Sequence, residues 1–349
     1  SGQDSPSNRV GKTERETAMH EIIYASPFVP PEWIAAHGFV PRLFAGETEG
    51  TAGTIASRRG VCPYSGGLID AVIRDEDVDA VVLTTVCDQM RYAASVVKEI
   101  AERPVFLLNV PSTHLAAGSH STLEYYIAEL RRLGHFLERI GGSELDLNML
   151  PDVMIRYDHA REKLRAEGPP QSVESYARWL KILSEGEVPI DSSDEVNDES
   201  EEELNEEADS EEKPEDKTNN FLKLGLLGGP LRLCDAPLLD QLVELGACIA
   251  LDGSTFGERT LPEPFDKDKM KADPIAELGR AYFDAIPDVF RRPNTGLFEW
   301  LQAMSRERRL DGILFLRCVS CDLWHAELPR IRDHLGLPVL DLDVTADDD

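Results

Sequence analysis

One block of this sequence cannot build a core. Between Glu185 and Lys217 the chain places 17 acidic residues against 2 lysines, including the run Asp198-Glu199-Ser200-Glu201-Glu202-Glu203. Like charges at that density repel one another and offer no apolar surface to bury. The block therefore reads as a disordered insertion or mobile linker. Its plain role is a solvated spacer; its sharper one is an electrostatic dock for a basic partner. Whatever folds must fold on either side of it. The block takes −15 of the chain's formal −29 and leaves −14 on the rest. The short tail Asp347-Asp348-Asp349 reads the same way.

The two flanks share one grammar. In the first, Ala80–Val86 is a continuous apolar and β-branched run, Gln89–Glu102 has helical character, and Pro104–Asn109 is a second strand. In the second, strand Phe221–Leu227, helix Pro237–Leu245, Gly246 and strand Ala247–Leu251 repeat the pattern. So do strand Gly312–Leu316, a helix around Ala326–Leu335, Gly336 and strand Pro338–Leu342. Strands apolar on both faces, joined by short helical crossovers, imply parallel sheets. Glycine just past a helix is its usual stop. Leu123–Ile140, Asp152–Glu167 and Ser172–Leu183 read as helices of a connecting bundle. At 349 residues, more than one core is expected. The expected division is a flexible N-terminus at 1–20, a first α/β domain at 21–140 and a helical connector at 141–183. The acidic insertion follows at 184–220 and a second α/β domain at 221–349. In such doubly wound sheets, ligands bind beyond the carboxyl ends of the strands.

No apolar run approaches the roughly 20 residues of a membrane helix. Ser1–Thr17 is polar, unlike a signal peptide. A cytoplasmic protein with no membrane partner is expected. No basic stripe is present for phosphate backbones, which argues against nucleic acid.

There are six cysteines, and a cytoplasmic chain rarely pairs them as disulfides. Cys248, inside an apolar strand, reads as buried filler, and Cys234, after a Gly-rich loop, as structural. The others differ. Cys62 lies in the turn-rich Gly60-Val-Cys-Pro-Tyr-Ser-Gly-Gly67 leading into a helix. Cys87 follows its strand directly, and Cys318-Val-Ser-Cys321 follows another. Cys-x-x-Cys offers two thiolates to one metal ion or cluster, and thioredoxin-like redox chemistry and zinc are its rivals. Zinc lacks a second close pair, although Cys62 and Cys87 could complete four. The motif is also misplaced for thioredoxin. An iron–sulfur cluster accepts widely separated thiolates.

The ordered pieces resemble the 2-hydroxyacyl-CoA dehydratase / benzoyl-CoA reductase family, D-component type. They are Tyr24–Leu43, Cys62-Pro-Tyr, Thr84-Thr-Val-Cys-Asp-Gln-Met-Arg91, Leu107–Pro111 with the Glu124-Tyr-Tyr and Glu129-Leu helix, Gly246–Gly253, Cys321-Asp-Leu-Trp-His-Ala-Glu-Leu and Gly336–Asp343. The resemblance implies two flavodoxin-like domains with one [4Fe-4S] cluster between them, on Cys62, Cys87 and Cys321. Cys318 is extra: a fourth ligand, or a neighbour with no contact to iron. It also implies a cytoplasmic enzyme of anaerobic metabolism. There a low-potential electron reduces an acyl-CoA substrate to a ketyl radical anion, so that hydroxyl and β-proton can leave. A separate ATP-hydrolysing activator supplies the electron, and a homologous subunit completes a homo- or heterodimer. Gly225-Leu-Leu-Gly-Gly-Pro230 lacks the Lys and hydroxyl of a phosphate-binding loop, consistent with ATP hydrolysis elsewhere.

Three thiolates would leave one iron open, as Lewis-acid chemistry requires. Ser65, Ser320 and His325 are candidates near it, against plain roles in a turn, a loop and on a helix surface. Two departures stand out. Asp252–Arg259 has no cysteine where doubled-cluster relatives carry one, and Ala25 and Ser26 stand where many relatives have one. Arg42, Arg58, Arg59, Arg74 and Arg91 are candidates for CoA phosphates by charge alone. The rival readings are a non-catalytic electron-relay or scaffold subunit and a structural zinc or partner-binding protein.

Overall fold

A computed structural model describes residues 20–46, 60–75, 77–113, 120–188 and 221–345. The acidic run, the segment before His20, the tail and both Arg58 and Arg59 lie outside the described residues.

The first half runs β1 (Glu21–Tyr24), α1 (Pro31–Ala36), β2 (Val40–Leu43), α2 (Pro63–Arg74), β3 (Val78–Thr84), α3 (Asp88–Val96) and β4 (Val105–Leu108). A wider π-helical turn, Val97–Ala101, extends α3. Three long helices follow: α4 (His120–Arg139), α5 (Leu150–Glu167) and α6 (Val173–Glu185). The second half runs β5 (Leu222–Gly228), α7 (Pro237–Glu244), β6 (Ala247–Gly253), α8 (Lys267–Ala272), α9 (Pro274–Gly279), α10 (Thr295–Glu307), β7 (Gly312–Cys318), α11 (Asp322–Leu335) and β8 (Val339–Val344). Both sheets are parallel, in the orders β2-β1-β3-β4 and β6-β5-β7-β8. The α/β class and the doubled flavodoxin-like arrangement are as expected. Among the described residues no helix is long and apolar enough to cross a membrane.

The strands are apolar on both faces because both faces are covered. Along β3, Val81 and Leu83 enter one core while Ala80 and Val82 enter another. The first of these cores is shared. It joins Ile23, Val81 and Leu83 of the first sheet to Ile249, Leu314 and Leu316 of the second, with Tyr176, Trp179 and Leu180 of α6 between them. Helix α6 also bonds to both sides. The Ser184 hydroxyl donates to Pro41 O at 2.6 Å and accepts from Leu43 N. Tyr176 donates to Leu231 O, and the Trp179 indole donates to Phe256 O. Ser184 and Glu185 are thus helix, and Gly186 closes it in the left-handed region. Ser184, placed at the expected boundary of the acidic stretch, is tied to β2. Helix α4 lies on β4 and α1 with Tyr126, Leu130, Leu133 and Leu137 inward, and α9 packs on it.

A buried ionic cluster locks the halves. Arg161 on α5 donates to Glu32 on α1 at 2.6 Å and to Asp158 at 2.7 Å. Tyr282, from the second half, donates to the other Glu32 oxygen at 2.7 Å. Arg161 is 3% and Glu32 0% exposed. Removing one partner of such a pair strands a buried charge and costs about 3–5 kcal/mol. Glu32→Ala should lower the unfolding free energy by that order in denaturant titration. Arg178→Ala, which breaks the exposed pair with Glu167, should change it by about 1 kcal/mol or less.

His37 is buried behind α1 and held by Trp33 O at 2.7 Å from Nδ1. Burial lowers its pKa from the usual 6.5. The folded state therefore keeps it neutral while the unfolded chain protonates. Stability from this group is complete above pH 6.5 and falls as pH drops below it, by at most about 1.4 kcal/mol per pH unit. His37→Gln should flatten that part of the stability–pH curve; an unchanged slope between wild type and variant would count against a neutral buried imidazole.

Candidate functional site

The carboxyl ends of the two sheets border one cavity of about 480 Å³. Six strands contribute. Ala25–Phe28 follow β1, Thr85–Arg91 follow β3, Ser112 comes after β4, Gly229 and Pro230 follow β5, Thr255 follows β6, and Cys318–Trp324 lead from β7 into α11. This is where a doubly wound sheet places its ligands, here supplied twice.

Four cysteines line this cavity: Cys62, Cys87, Cys318 and Cys321. Three of them occupy the same local position. Cys62 is the N-cap of α2, Cys87 of α3 and Cys321 of α11. A helix N-terminus presents free N–H groups and a positive dipole end, which favours a thiolate or any other anion there. At Cys87, burial raises the thiol pKa, and the N–H groups of Met90 and Gln89 oppose it. At Cys321, burial pushes it up to about 12 against the N–H of Trp324, and the charges of Cys62 and Cys87 add to the rise. Cys62 is held below the usual thiol value. A hydrogen bond from the Cys318 thiol is the largest cause, opposed by burial and aided by the Ser65 and Tyr64 N–H groups and the Arg232 guanidinium.

The loops carrying Cys62 and Cys87 are fastened together. Gln89 Oε1 accepts Cys62 N–H at 3.0 Å, Gln89 Nε2 donates to Gly60 O, and the Ser65 hydroxyl donates to Gln89 O at 2.9 Å. In the loop after β5, Arg232 forms a two-pronged pair with Asp235 at 2.6 and 2.7 Å. Leu233 N–H donates to Ala45 O, which docks the loop after β5 on the first half. Gly46, at φ +88°, makes room for it: a Cβ there would meet Arg232 Cβ at 2.8 Å.

The other expectations divide. Ser320 lines the cavity, in the left-handed region at φ 70°. Ser65 is not in a turn; it sits fully buried in the first turn of α2, and its hydroxyl serves Gln89. His325 is exposed on α11 and does not line the cavity. Cys248 is only half-buried, because β6 is the edge of its sheet, so it is not core filler. Cys234, half-buried in a short 3₁₀ turn, does not line the cavity. Ala25 and Ser26 both line it. Arg91 reaches the cavity, whereas Arg42 and Arg74 lie by another cleft beside α6.

Sequence reading missed the loop before α10. Asp288, Val289, Phe290 and Arg292 form one wall of the cavity. Fully buried Arg259 fixes that loop by donating to Asp288 at 2.7 Å and to Pro287 O, and it stacks on Trp324 at 5.2 Å. The tandem Arg291-Arg292 before Pro293 was the available signal.

Among the described residues, no three His, Cys, Asp or Glu side chains surround one metal-sized point. A zinc site needs its four ligands about a single ion. An iron–sulfur cube is wider than an ion, and its thiolates stand apart. Three separated N-cap cysteines facing one cavity fit the wider group.

Gly228 ends β5 with φ +132°, just before the cavity-lining Gly229, and a Cβ there would lie 1.9 Å from Leu316 O on β7. Gly228→Ala should cost at least about 1–3 kcal/mol from backbone conformation alone, read as a lowered melting temperature. A neutral substitution would contradict this close approach of β5 and β7.

The family model described as 2-hydroxyglutaryl-CoA dehydratase, D-component matches residues 27–349. No curated protein matches the chain.

Proposed function

The chain belongs to the 2-hydroxyglutaryl-CoA dehydratase D-component family, and we propose that it is the iron–sulfur subunit of a cytoplasmic 2-hydroxyacyl-CoA dehydratase-like enzyme or of a related acyl-CoA reductase. In this reading Cys62, Cys87 and Cys321 hold one [4Fe-4S] cluster. The observation that carries it is the repeated placement of a cysteine at a helix N-cap, three times around one cavity. When bound, the group would supply a low-potential electron for reduction of a thioester carbonyl, received from an ATP-hydrolysing activator.

The chain's own residues prepare the site. The N–H groups of the three helix starts offset the negative charge of thiolates gathered in a buried place. Phe28, Met90, Phe290 and Trp324 give the cavity apolar walls that exclude water, which a strongly reducing site requires. Arg91 and Arg292 offer cations to an anionic substrate such as acyl-CoA. Ser320 places a hydroxyl at the cavity, an oxygen that could serve an iron left without a thiolate. A homologous subunit would complete the enzyme as a dimer.

Oxygen-free purification or iron–sulfur reconstitution tests the proposal. A brown protein with about four irons per chain is expected, and Cys87→Ala should lose that iron and colour. Deleting residues 189–217 should leave both unchanged, since so dense a run of like charge offers neither thiolates nor apolar surface to a buried site. A colourless protein after reconstitution, or stoichiometric zinc without visible absorption, would falsify the cluster assignment.

A further inference from the structure

Besides its cysteines, the cavity carries a set of large apolar side chains. Phe28, from the loop after β1, and Phe290, from the loop before α10, meet edge to face with ring centres 6.1 Å apart. Met90, Val289 and Trp324 add further apolar lining. Phe28, Val289, Met90 and Trp324 are each 4% exposed or less, and Phe290 is half-buried. Their places are set by the fold. Phe28 packs in one core with Tyr126 and Phe283, and its carbonyl accepts the Tyr126 hydroxyl at 2.6 Å. Trp324 lies edge-on to Phe315 at 5.9 Å and carries Arg259 on its face.

The cations stand elsewhere. Among the described residues, Arg91 and Arg292 are the cations that line the cavity, and both are exposed. Each already serves its own loop. Arg91 donates to Thr85 O, and Arg292 donates to Val289 O and Arg291 O. Arg291 is buried but does not line the cavity. Its guanidinium is shut off behind Phe28, 5.1 Å from that ring and 4.1 Å from Phe283. The charge buried at the cavity is negative: Asp288, 8% exposed, held by Arg259 at 2.7 Å and by Phe290 N–H at 2.8 Å.

At about 480 Å³, the cavity lies toward the small end of ligand pockets, which span roughly 300–1,000 Å³. It must take both the cluster and the reacting end of a thioester. The nucleotide part of CoA therefore stays outside, with the exposed arginines, and the acyl tail meets the apolar wall.

We propose that the acyl group taken by this chain has an uncharged apolar tail, aliphatic or aromatic, with no second carboxylate, and that Phe28 and Phe290 select it. The inference rests on the acyl-CoA reading above and narrows it, since the matching family model is described by a dicarboxylic thioester. A second carboxylate would reach this wall with no buried cation lining it among the described residues, and with Asp288 as a like charge at the same cavity. A charge left unpaired against apolar side chains is costly. An alkyl or aryl tail gains by leaving water there.

The test compares two thioesters of nearly the same shape by isothermal titration calorimetry on the oxygen-free, reconstituted full chain. One is 2-hydroxyglutaryl-CoA. The other is 2-hydroxy-5-methylhexanoyl-CoA, in which methyl groups replace the two oxygens of the distal carboxylate. Wild type should bind the methyl-ended thioester at least about tenfold more tightly. Phe290→Arg, which sets a cation in the wall, should narrow or reverse that preference. Equal affinities in wild type, or tighter binding of 2-hydroxyglutaryl-CoA, would overturn the proposal, and this comparison needs no variant. A folded Phe290→Arg chain with an unchanged preference would also overturn it, by taking that ring out of the tail site. If wild type binds neither thioester, the acyl-CoA reading of this chain fails instead, a result separable from equal affinities.

Discussion

The cavity exists because two parallel sheets are held with their carboxyl ends facing each other, and the buried Glu32–Arg161–Tyr282 contact is central to that hold. Its three members come from α1, from α5 and from the turn after α9, so it spans the first half, the connector and the second half. A buried ion pair adds little net stability over an apolar substitute, yet it tolerates few alternative arrangements. Around it, α6 fills the shared core and bonds to both sides. The helices at 150–185 act less as a spacer than as the wall against which both sheets are set.

That geometry turns four distant stretches of sequence into one chemical environment. Cys62 and Cys87 come from the first half and Cys318 and Cys321 from the second, and all four meet in one cavity. A site assembled this way depends on both halves at once. Any change that loosens the interface should affect the thiols before it unfolds either sheet, because the cavity wall is the interface.

Much of the fold was legible because both sheets are buried on both faces. Apolar and β-branched runs such as Ala80–Val86 and Gly312–Leu316 have no amphipathic ambiguity to resolve. Glycines at helix ends marked the crossovers. The positions of Cys87, Cys318 and Cys321 at strand ends followed directly, and the strand-end rule brought them to one place. Local context could not supply the rest. Ser65 looked like a turn hydroxyl because Gly and Pro surround it, but Pro63 opens a helix rather than ending one. Cys248 looked buried because its neighbours are apolar, yet an edge strand leaves part of one face open. Beyond the tandem Arg291-Arg292, the loop of Asp288–Arg292 gave little local signal because Arg259, which fixes it, lies about thirty residues away and reads as an ordinary charge. The acidic insertion, the loudest feature of the sequence, lies outside the described residues.

The central claim is that three helix-capping cysteines from the two halves hold one iron–sulfur cube across the interface. The iron K-edge X-ray absorption spectrum of the oxygen-free, reconstituted chain tests it most directly. The account predicts iron in a sulfur-dominated shell with a clear iron–iron scattering distance, and loss of that iron–iron feature when Cys62 or Cys321 is replaced by alanine. Iron bound without iron–iron scattering, or a spectrum indifferent to the removal of either cysteine, would contradict it.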